Sequence, residues 1–309
     1  MLILKKIVLL FLGIVLSMTM AACHGKKTVA LCFRQRDEGV TAQLANSLQT
    51  EFLNKGYRVI TDYAANDQFR QNQQITTLLE DCDLLVVESV MISAAEGILE
   101  QAKKLDVPVV FINYVPETSV LETWDKTCYI GSDMSQPGLL QSQLVQQLPD
   151  HGDVDGDGTV AYTVISGPED HLDAVRWTTD CIISQSGNQL AQSFGDWSRE
   201  SGREICRQQL EKFGEKVEVI LCNHDNLAMG ALEALEDKKL DAHVIGIGGN
   251  REALRLIQQG RMRGTIAPDI FRLTECVTKA AEALLSGNQP DKIQILDFLI
   301  ITKENVDVY

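Results

Sequence analysis

Thr28-Val29-Ala30-Leu31-Cys32-Phe33, followed by Asp37 to Lys55 and then Arg58 to Asp62, decides the fold. The first six residues carry no charge and read as a strand buried on both faces. Asp37 to Lys55 reads as an amphipathic helix ended by Gly56, and Arg58 to Asp62 as the next strand. The rhythm continues with a helix over Gln71 to Leu79, a strand over Asp83 to Glu88, and a helix over Ala94 to Leu105. A strand at Val109 to Ile112 follows Pro108. It then restarts with a helix over Gln136 to Gln147, Pro137 in its first turn. Strands are expected at Val160 to Ile165, Gln189 to Ser193, Val217 to Cys222, His243 to Ile247 and Gly264 to Ala267. Helices are expected at Asp170 to Gln185, Arg199 to Phe213, Asn226 to Asp237 and Arg251 to Gln259. A long helix from Phe271 to Leu285 and a strand from Ile293 to Ile300 close the chain. Apolar runs alternating with helical periods give an α/β class: two doubly wound parallel-sheet lobes. Open parallel sheets bind ligands at the carboxyl ends of their strands, so a cleft between the lobes is the expected place of function.

Upstream of this pattern lies a different kind of segment. Lys5 and Lys6 form a positive start, Ile7 to Met18 an apolar stretch, and Met20-Ala21-Ala22 the small residues before a cut. The stretch is short for a membrane span, which needs about 20 apolar residues. Ending at Cys23, it resembles the lipobox of bacterial lipoproteins. That resemblance implies a signal peptide over residues 1–22, lipidation of Cys23 and a tether over 23–27. The alternative is an ordinary signal peptide with a bystander cysteine. A lipid on the first mature residue anchors the protein to the outer face of the cytoplasmic membrane and leaves the rest soluble.

The formal net charge of −15, without long acidic blocks, argues against nucleic acid as a partner, because phosphate binding needs clustered Lys and Arg. Of eight cysteines, Cys23 is the expected anchor. Cys32, Cys82, Cys128, Cys181, Cys206, Cys222 and Cys276 are odd in number and contain no C-x-x-C pair. They read as buried thiols rather than a disulfide framework.

Several segments in order resemble the periplasmic glucose/galactose-binding protein family. They are Asn66-Asp67-Gln68 with Gln71, Asn72, Gln74 and Ile75; Val107-Pro108-Val109-Val110-Phe111-Ile112-Asn113; Tyr129-Ile130-Gly131-Ser132-Asp133; Val217-Glu218-Val219-Ile220; and Asn223-His224-Asp225-Asn226-Leu227-Ala228-Met229-Gly230-Ala231. The resemblance implies two lobes joined by three crossings, residues 28–112 plus 269–288 and residues 113–268 plus 289–309, with hinge closure around a ligand.

Asp153-Val154-Asp155-Gly156-Asp157-Gly158-Thr159 is the most chemically specific string. Acidic residues at alternating positions and a glycine at the sixth suit a loop around a hard cation, with Thr159 offering its carbonyl. Val164 stands where an EF-hand needs a bidentate glutamate, so this is not an EF-hand. In the family a distant glutamate closes a structural Ca2+ site, and it corresponds to Glu218. The family's glutamine ligand at the ninth position is Ala161 here. The alternative is a solvated Asp/Gly turn that binds nothing.

For the cleft, the resemblance implies aromatic faces that stack on a sugar ring and polar side chains that satisfy its hydroxyls. His171, Asp173 and Trp197 match the family, and His224 replaces an asparagine. Arg34, Glu38 and Val40 stand at an aromatic, an aspartate and a second aromatic; Glu88 replaces an asparagine and Trp177 an arginine. Gly248 and Pro268 replace an aspartate and an asparagine. Each has a plainer reading: Trp177 and Trp197 packed beneath loops, His171 capping a helix, Arg34 paired with Glu38 across a surface turn. The substitutions imply a small, carbohydrate-like ligand other than glucose or galactose.

Catalysis is not expected: G-x-S-x-G, H-E-x-x-H and C-x-x-C are all absent, and Gly246-Ile247-Gly248-Gly249 lacks the third glycine of a dinucleotide motif. The expected role is solute capture by a monomer for an ABC-type permease. The alternative is presentation of the closed form to a membrane sensor kinase or chemoreceptor.

Overall fold

The computed structural model describes residues 25–36, 39–169 and 187–309. The expected leader and Cys23, the residues Glu38, His171, Asp173, Trp177 and Cys181, and the expected helix from Asp170 to Gln185 lie outside the described residues.

Lobe one is built on a sheet of six strands: β1 (Thr28–Phe33), β2 (Arg58–Tyr63), β3 (Leu84–Val87), β4 (Val109–Ile112), β5 (Thr127–Ser132) and β11 (Ile293–Leu296), in the order β11-β5-β4-β3-β1-β2. Every pairing in it is parallel. Lobe two has β6 (Val160–Ser166), β7 (Gly187–Phe194), β8 (Val219–Cys222), β9 (His243–Ile247), β10 (Gly264–Pro268) and β12 (Phe298–Ile301), in the order β12-β10-β9-β8-β6-β7. Here β12 runs antiparallel to β10.

Both faces of each sheet are covered, which explains the unbroken apolar runs. Along β1, Val29, Leu31 and Phe33 join a core with Leu44, Leu48 and Phe52 of helix α1 (Val40–Asn54). Ala30 and Cys32 point to the other face, toward Ile75 of α2 (Gln68–Asp81) and Ile98 of α3 (Ala95–Leu105). This is the two-residue alternation of a strand. A one-turn helix, α4 (Thr118–Leu121), leads into β5, and α5 (Gln136–Gln147) enters lobe two. There α6 (Arg199–Phe213), α7 (Asp225–Lys238) and α8 (Arg251–Gln258) cover the sheet, and α9 (Ile270–Leu285) returns to pack on α1 in lobe one.

Two sequence expectations are corrected. The final strand is not continuous over Ile293 to Ile300 but two strands in different sheets, broken at Asp297. Asp297 Oδ1 accepts from Gln136 Nε2 at 2.6 Å, and Gln136 Oε1 accepts the Phe298 N–H at 2.9 Å. A polar residue between two apolar runs therefore marks a crossing and ties it to a second crossing at Gln136. The lobe boundaries also move: β5 and β11 belong to the first sheet, so the chain crosses after Ser132, Pro268 and Leu296 rather than after Ile112, Pro268 and Asn288. Thr127–Ser132 escapes a strand reading because Thr127, Gly131 and Ser132 dilute its hydrophobic signal, although all six residues are buried.

Candidate functional site

Arg34 and Glu88 stand at the carboxyl end of the first sheet, and Trp197 and His224 at that of the second, each one to three residues beyond a strand. Arg34 follows β1. Its Nε donates to Asn66 Oδ1 at 2.9 Å and its Nη1 to the Tyr114 hydroxyl at 2.5 Å, with the guanidinium 5.0 Å from the centre of the Tyr114 ring. Three contacts on neutral partners fix the cation's plane. Glu88 follows β3 and is buried, its Oε1 accepting from Asn113 Nδ2 at 2.6 Å. Asn113 adopts φ +65°, a left-handed conformation that asparagine tolerates better than most residues.

On lobe two, Trp197 lies edge-on to His224, with ring centroids 5.7 Å apart and planes at 61°. The indole rests on Gly167, where a Cβ would come within 2.5 Å of three ring atoms. His224 is the N-cap of α7, its Nδ1 accepting the Asn226 N–H at 3.2 Å. Next to it, fully buried Asp225 accepts from the Thr265 hydroxyl at 2.7 Å and the Asn250 N–H at 2.8 Å. Burial pushes the Asp225 carboxyl up, while Thr265 and the backbone N–H groups of Asn250 and Gly249 pull it down. Gly248, which replaces an expected aspartate, has φ +140° and turns around this carboxylate; a Cβ there would meet Asp225 Oδ2 at 3.1 Å. Pro268, which replaces an expected asparagine, offers its carbonyl to the Tyr309 hydroxyl at 2.8 Å.

The lobes touch directly. Gln43 Nε2, on α1, donates to the carbonyl of Gly249, between β9 and α8, at 2.9 Å. Sequence reading missed Gln43, Asn66, Tyr114 and Tyr309 as parts of the cleft. Asn113 and Tyr114, polar residues directly after a buried strand, carried the signal that could have found them.

The acidic loop folds as a cradle at the opposite ends of the strands. Carboxylate oxygens of Asp153, Asp155 and Glu218 lie within 4.8 Å of one another. Glu218 comes from far along the chain because β6 and β8 pair in parallel, with Tyr162 opposite Val219. Its Oε2 accepts from Ala161 N at 2.7 Å and its Oε1 from Asp155 N at 3.1 Å. Gly156 and Gly158 take the positive φ values, 75° and 89°, that the tight loop requires. Asp153 Oδ1 accepts from the N–H groups of Gly156 and Asp157, and its Oδ2 from that of Gly158. Asp157 stands outside the cluster and accepts from the Thr159 N–H at 2.7 Å. Three convergent hard oxygen donors fit a divalent cation such as Ca2+.

With fold and cleft described, comparison with known proteins decides the family. Residues 29–289 match the model of the periplasmic binding protein domain. The chain belongs to the periplasmic binding protein family. It is 26% identical over 270 residues to the D-galactose/methyl-galactoside binding periplasmic protein MglB of Haemophilus influenzae, covering 81% of this chain and 82% of that one. It is 24% identical over 270 residues to the ribose import binding protein RbsB of Bacillus subtilis, covering 86% and 84%. Among solved structures, an ABC transporter solute-binding protein of Actinobacillus succinogenes with bound D-allose superimposes with a TM-score of 0.80 at 16% identity, covering 92% of this chain and all (100%) of that one. One from Bacillus halodurans with bound myo-inositol gives 0.75 at 21% identity, covering 92% and 97%. At these identities the structures establish the fold. The family consists of binding proteins rather than enzymes, and among the described residues no helix is long and apolar enough to cross a membrane.

Proposed function

We propose that the chain is an extracytoplasmic solute-binding protein that closes its two lobes on a sugar-like small molecule and delivers it to an ABC-type permease. The observation that carries this reading is the composition of the residues at the carboxyl ends of the two sheets. Lobe one contributes a charged and amide-rich wall, Arg34, Glu88 and Asn113; lobe two contributes an aromatic one, Trp197 braced by His224. A polyol needs both, because its hydroxyls must be paired when buried and its C–H faces lie well on an indole. The named ligands of the relatives are galactose and ribose, and two fold neighbours hold allose and myo-inositol, all polyhydroxylated.

The ligand differs from galactose and glucose. Gly248 and Pro268 supply no side-chain hydrogen bond where the sugar clamp has one, and Arg34 adds a fixed cation. His171, Asp173, Trp177 and Glu38 complete the proposed ligand set from outside the described residues. Cys23 carries the lipid anchor in this reading, and Asp153, Asp155 and Glu218 hold a structural Ca2+, with the Thr159 carbonyl as a further ligand and Asp157 outside the cluster.

A thermal-shift screen against pentoses, hexoses, inositols, nucleosides and amino acids tests the reading, since a ligand that binds only the folded form raises its stability by mass action. A rise confined to sugars or cyclitols is expected, larger than that with galactose or glucose. A rise confined to amino acids or nucleosides, or one as large with galactose as with any compound, contradicts it.

A further inference from the structure

We propose that lobe one carries a second binding site, separate from the walls of the cleft, for a hydroxylated small molecule bearing one oxyanion, a carboxylate or a phosphate. The site is a cavity of about 550 Å3 at the carboxyl end of β2, the edge strand of the first sheet. Arg36, Arg70, Asp62, Tyr63, Asn66 and Gln74 line it.

Three observations carry the assignment. The first is charge. In a chain of net charge −15, the described residues that line the cavity present two guanidiniums against one carboxylate, and among the described residues neither Arg36 nor Arg70 forms an ion pair. Arg70 is the third residue of α2, at the end of a helix where the macrodipole disfavours a cation and favours an anion. The nearest capping carboxylate, Asp67, already accepts the N–H groups of Phe69 and Arg70.

The second is preorganisation. The Arg36 guanidinium stands 5.7 Å from the centre of the Tyr63 ring, which supports the face of the cation and leaves its N–H edge for a planar or tetrahedral oxyanion. Asn66, which lines this cavity, is held by its bonds to Arg34 and Gln35.

The third is an unmet hydrogen bond. Gln74 donates through Nε2 to the Tyr63 carbonyl at 3.1 Å, which fixes its amide, yet among the described residues its buried Oε1 has no partner. A buried acceptor left without a donor is costly, and a ligand hydroxyl supplies the donor. Asp62 offers a second acceptor beside it. Guanidiniums for an oxyanion and fixed acceptors for hydroxyls together describe a sugar acid or a sugar phosphate.

Calorimetric titration of the purified chain with D-galacturonate, D-glucose 6-phosphate, inorganic phosphate and neutral D-galactose tests the site. Galacturonate or glucose 6-phosphate is expected to bind, more weakly as salt rises. The tighter of the two tells a carboxylate site from a phosphate site, and weaker binding of inorganic phosphate than of glucose 6-phosphate assigns a share to the hydroxyls. In the R36Q/R70Q double variant, whose exposed side chains form no hydrogen bond among the described residues, that affinity is expected to fall about ten-fold or more, in keeping with the strength of charge-assisted hydrogen bonds. In W197A, which alters the cleft, it is expected to stay unchanged. Binding by neither acid, binding untouched in R36Q/R70Q, or binding lost in W197A overturns the proposal. None of these outcomes bears on whether a neutral sugar occupies the cleft, so the two readings fail separately.

Discussion

Gln43 and Gly249 lie 206 residues apart in sequence, and the amide of one donates to the carbonyl of the other across the gap between the lobes. Gly249 has φ +78° and its neighbour Asn250 is anchored to Asp225, so the accepting carbonyl is held by the rigid interior of lobe two. The bond favours the arrangement in which both cleft walls face the same ligand. Replacing Gln43 by leucine is expected to remove about 1 kcal/mol from the closed arrangement, close to a five-fold loss of ligand affinity. The loss is expected in the dissociation rate measured by stopped-flow tryptophan fluorescence, with the thermal midpoint of the ligand-free protein unchanged.

Gly167 places Trp197. An alanine at this position brings its Cβ to 2.5 Å from three indole atoms, so the ring must leave its place beside His224. The Gly167→Ala variant is expected to fold, to show altered tryptophan emission and to lose at least ten-fold in ligand affinity. Gly195, where a Cβ meets the flexible ends of Ser201 and Ile205 rather than the indole, serves as the comparison: Gly195→Ala is expected to leave the emission of Trp197 unchanged.

The acidic cradle joins two strands through one buried side chain. Repulsion among Asp153, Asp155 and Glu218 is relieved by a divalent cation, and Ca2+ at about 100-fold above its dissociation constant adds about 2.7 kcal/mol of stability. A thermal midpoint several degrees higher in calcium than in chelator is expected for the native chain. Glu218→Gln is expected to abolish that difference, while ligand binding in the cleft persists because the cradle lies at the opposite ends of the strands.

Buried thiols give the protein an alkaline stability limit. Burial pushes Cys32, Cys82, Cys128 and Cys206 up to about 12. The folded value is raised above the unfolded one of about 8.5, so this contribution is complete below that pH and is lost as pH rises toward the folded value. The thermal midpoint is expected to fall steadily above about pH 8.5, beyond the fall of a variant with all four cysteines replaced by alanine or serine. Native protein at neutral pH is expected to resist thiol-labelling reagents at the fully buried Cys32, Cys128 and Cys206 until denaturant is added.

Much of the fold was legible because buried parallel strands announce themselves as uncharged apolar runs. The limits of β1, β4, α5, α6 and β9 agree with the sequence reading to the residue. Thr127–Ser132 was not legible as a strand, since Thr127, Gly131 and Ser132 interrupt the apolar signal of Tyr129 and Ile130, and its burial shows only once β4 and β11 pair on either side. Nor was the break at Asp297, which matters only once Gln136 lies beside it. Of the residues named from the sequence, Arg34, Glu88, Trp197 and His224 stand beyond the carboxyl ends of strands, and Glu218, implied by the family resemblance, lies beside Asp153 and Asp155. Gln43 and Tyr309 were invisible, because each acts through contacts with Gly249 or Pro268 that exist only after folding.

Calorimetric titration of the native chain and of Trp197→Ala, using the compound that ranks first in the thermal-shift screen, tests the central claim most directly. The account predicts one site per chain for a polyhydroxylated compound other than galactose or glucose, with binding to Trp197→Ala weakened at least ten-fold. Undiminished binding by Trp197→Ala, or a first-ranked compound without hydroxyls, would contradict a sugar held between the two lobes.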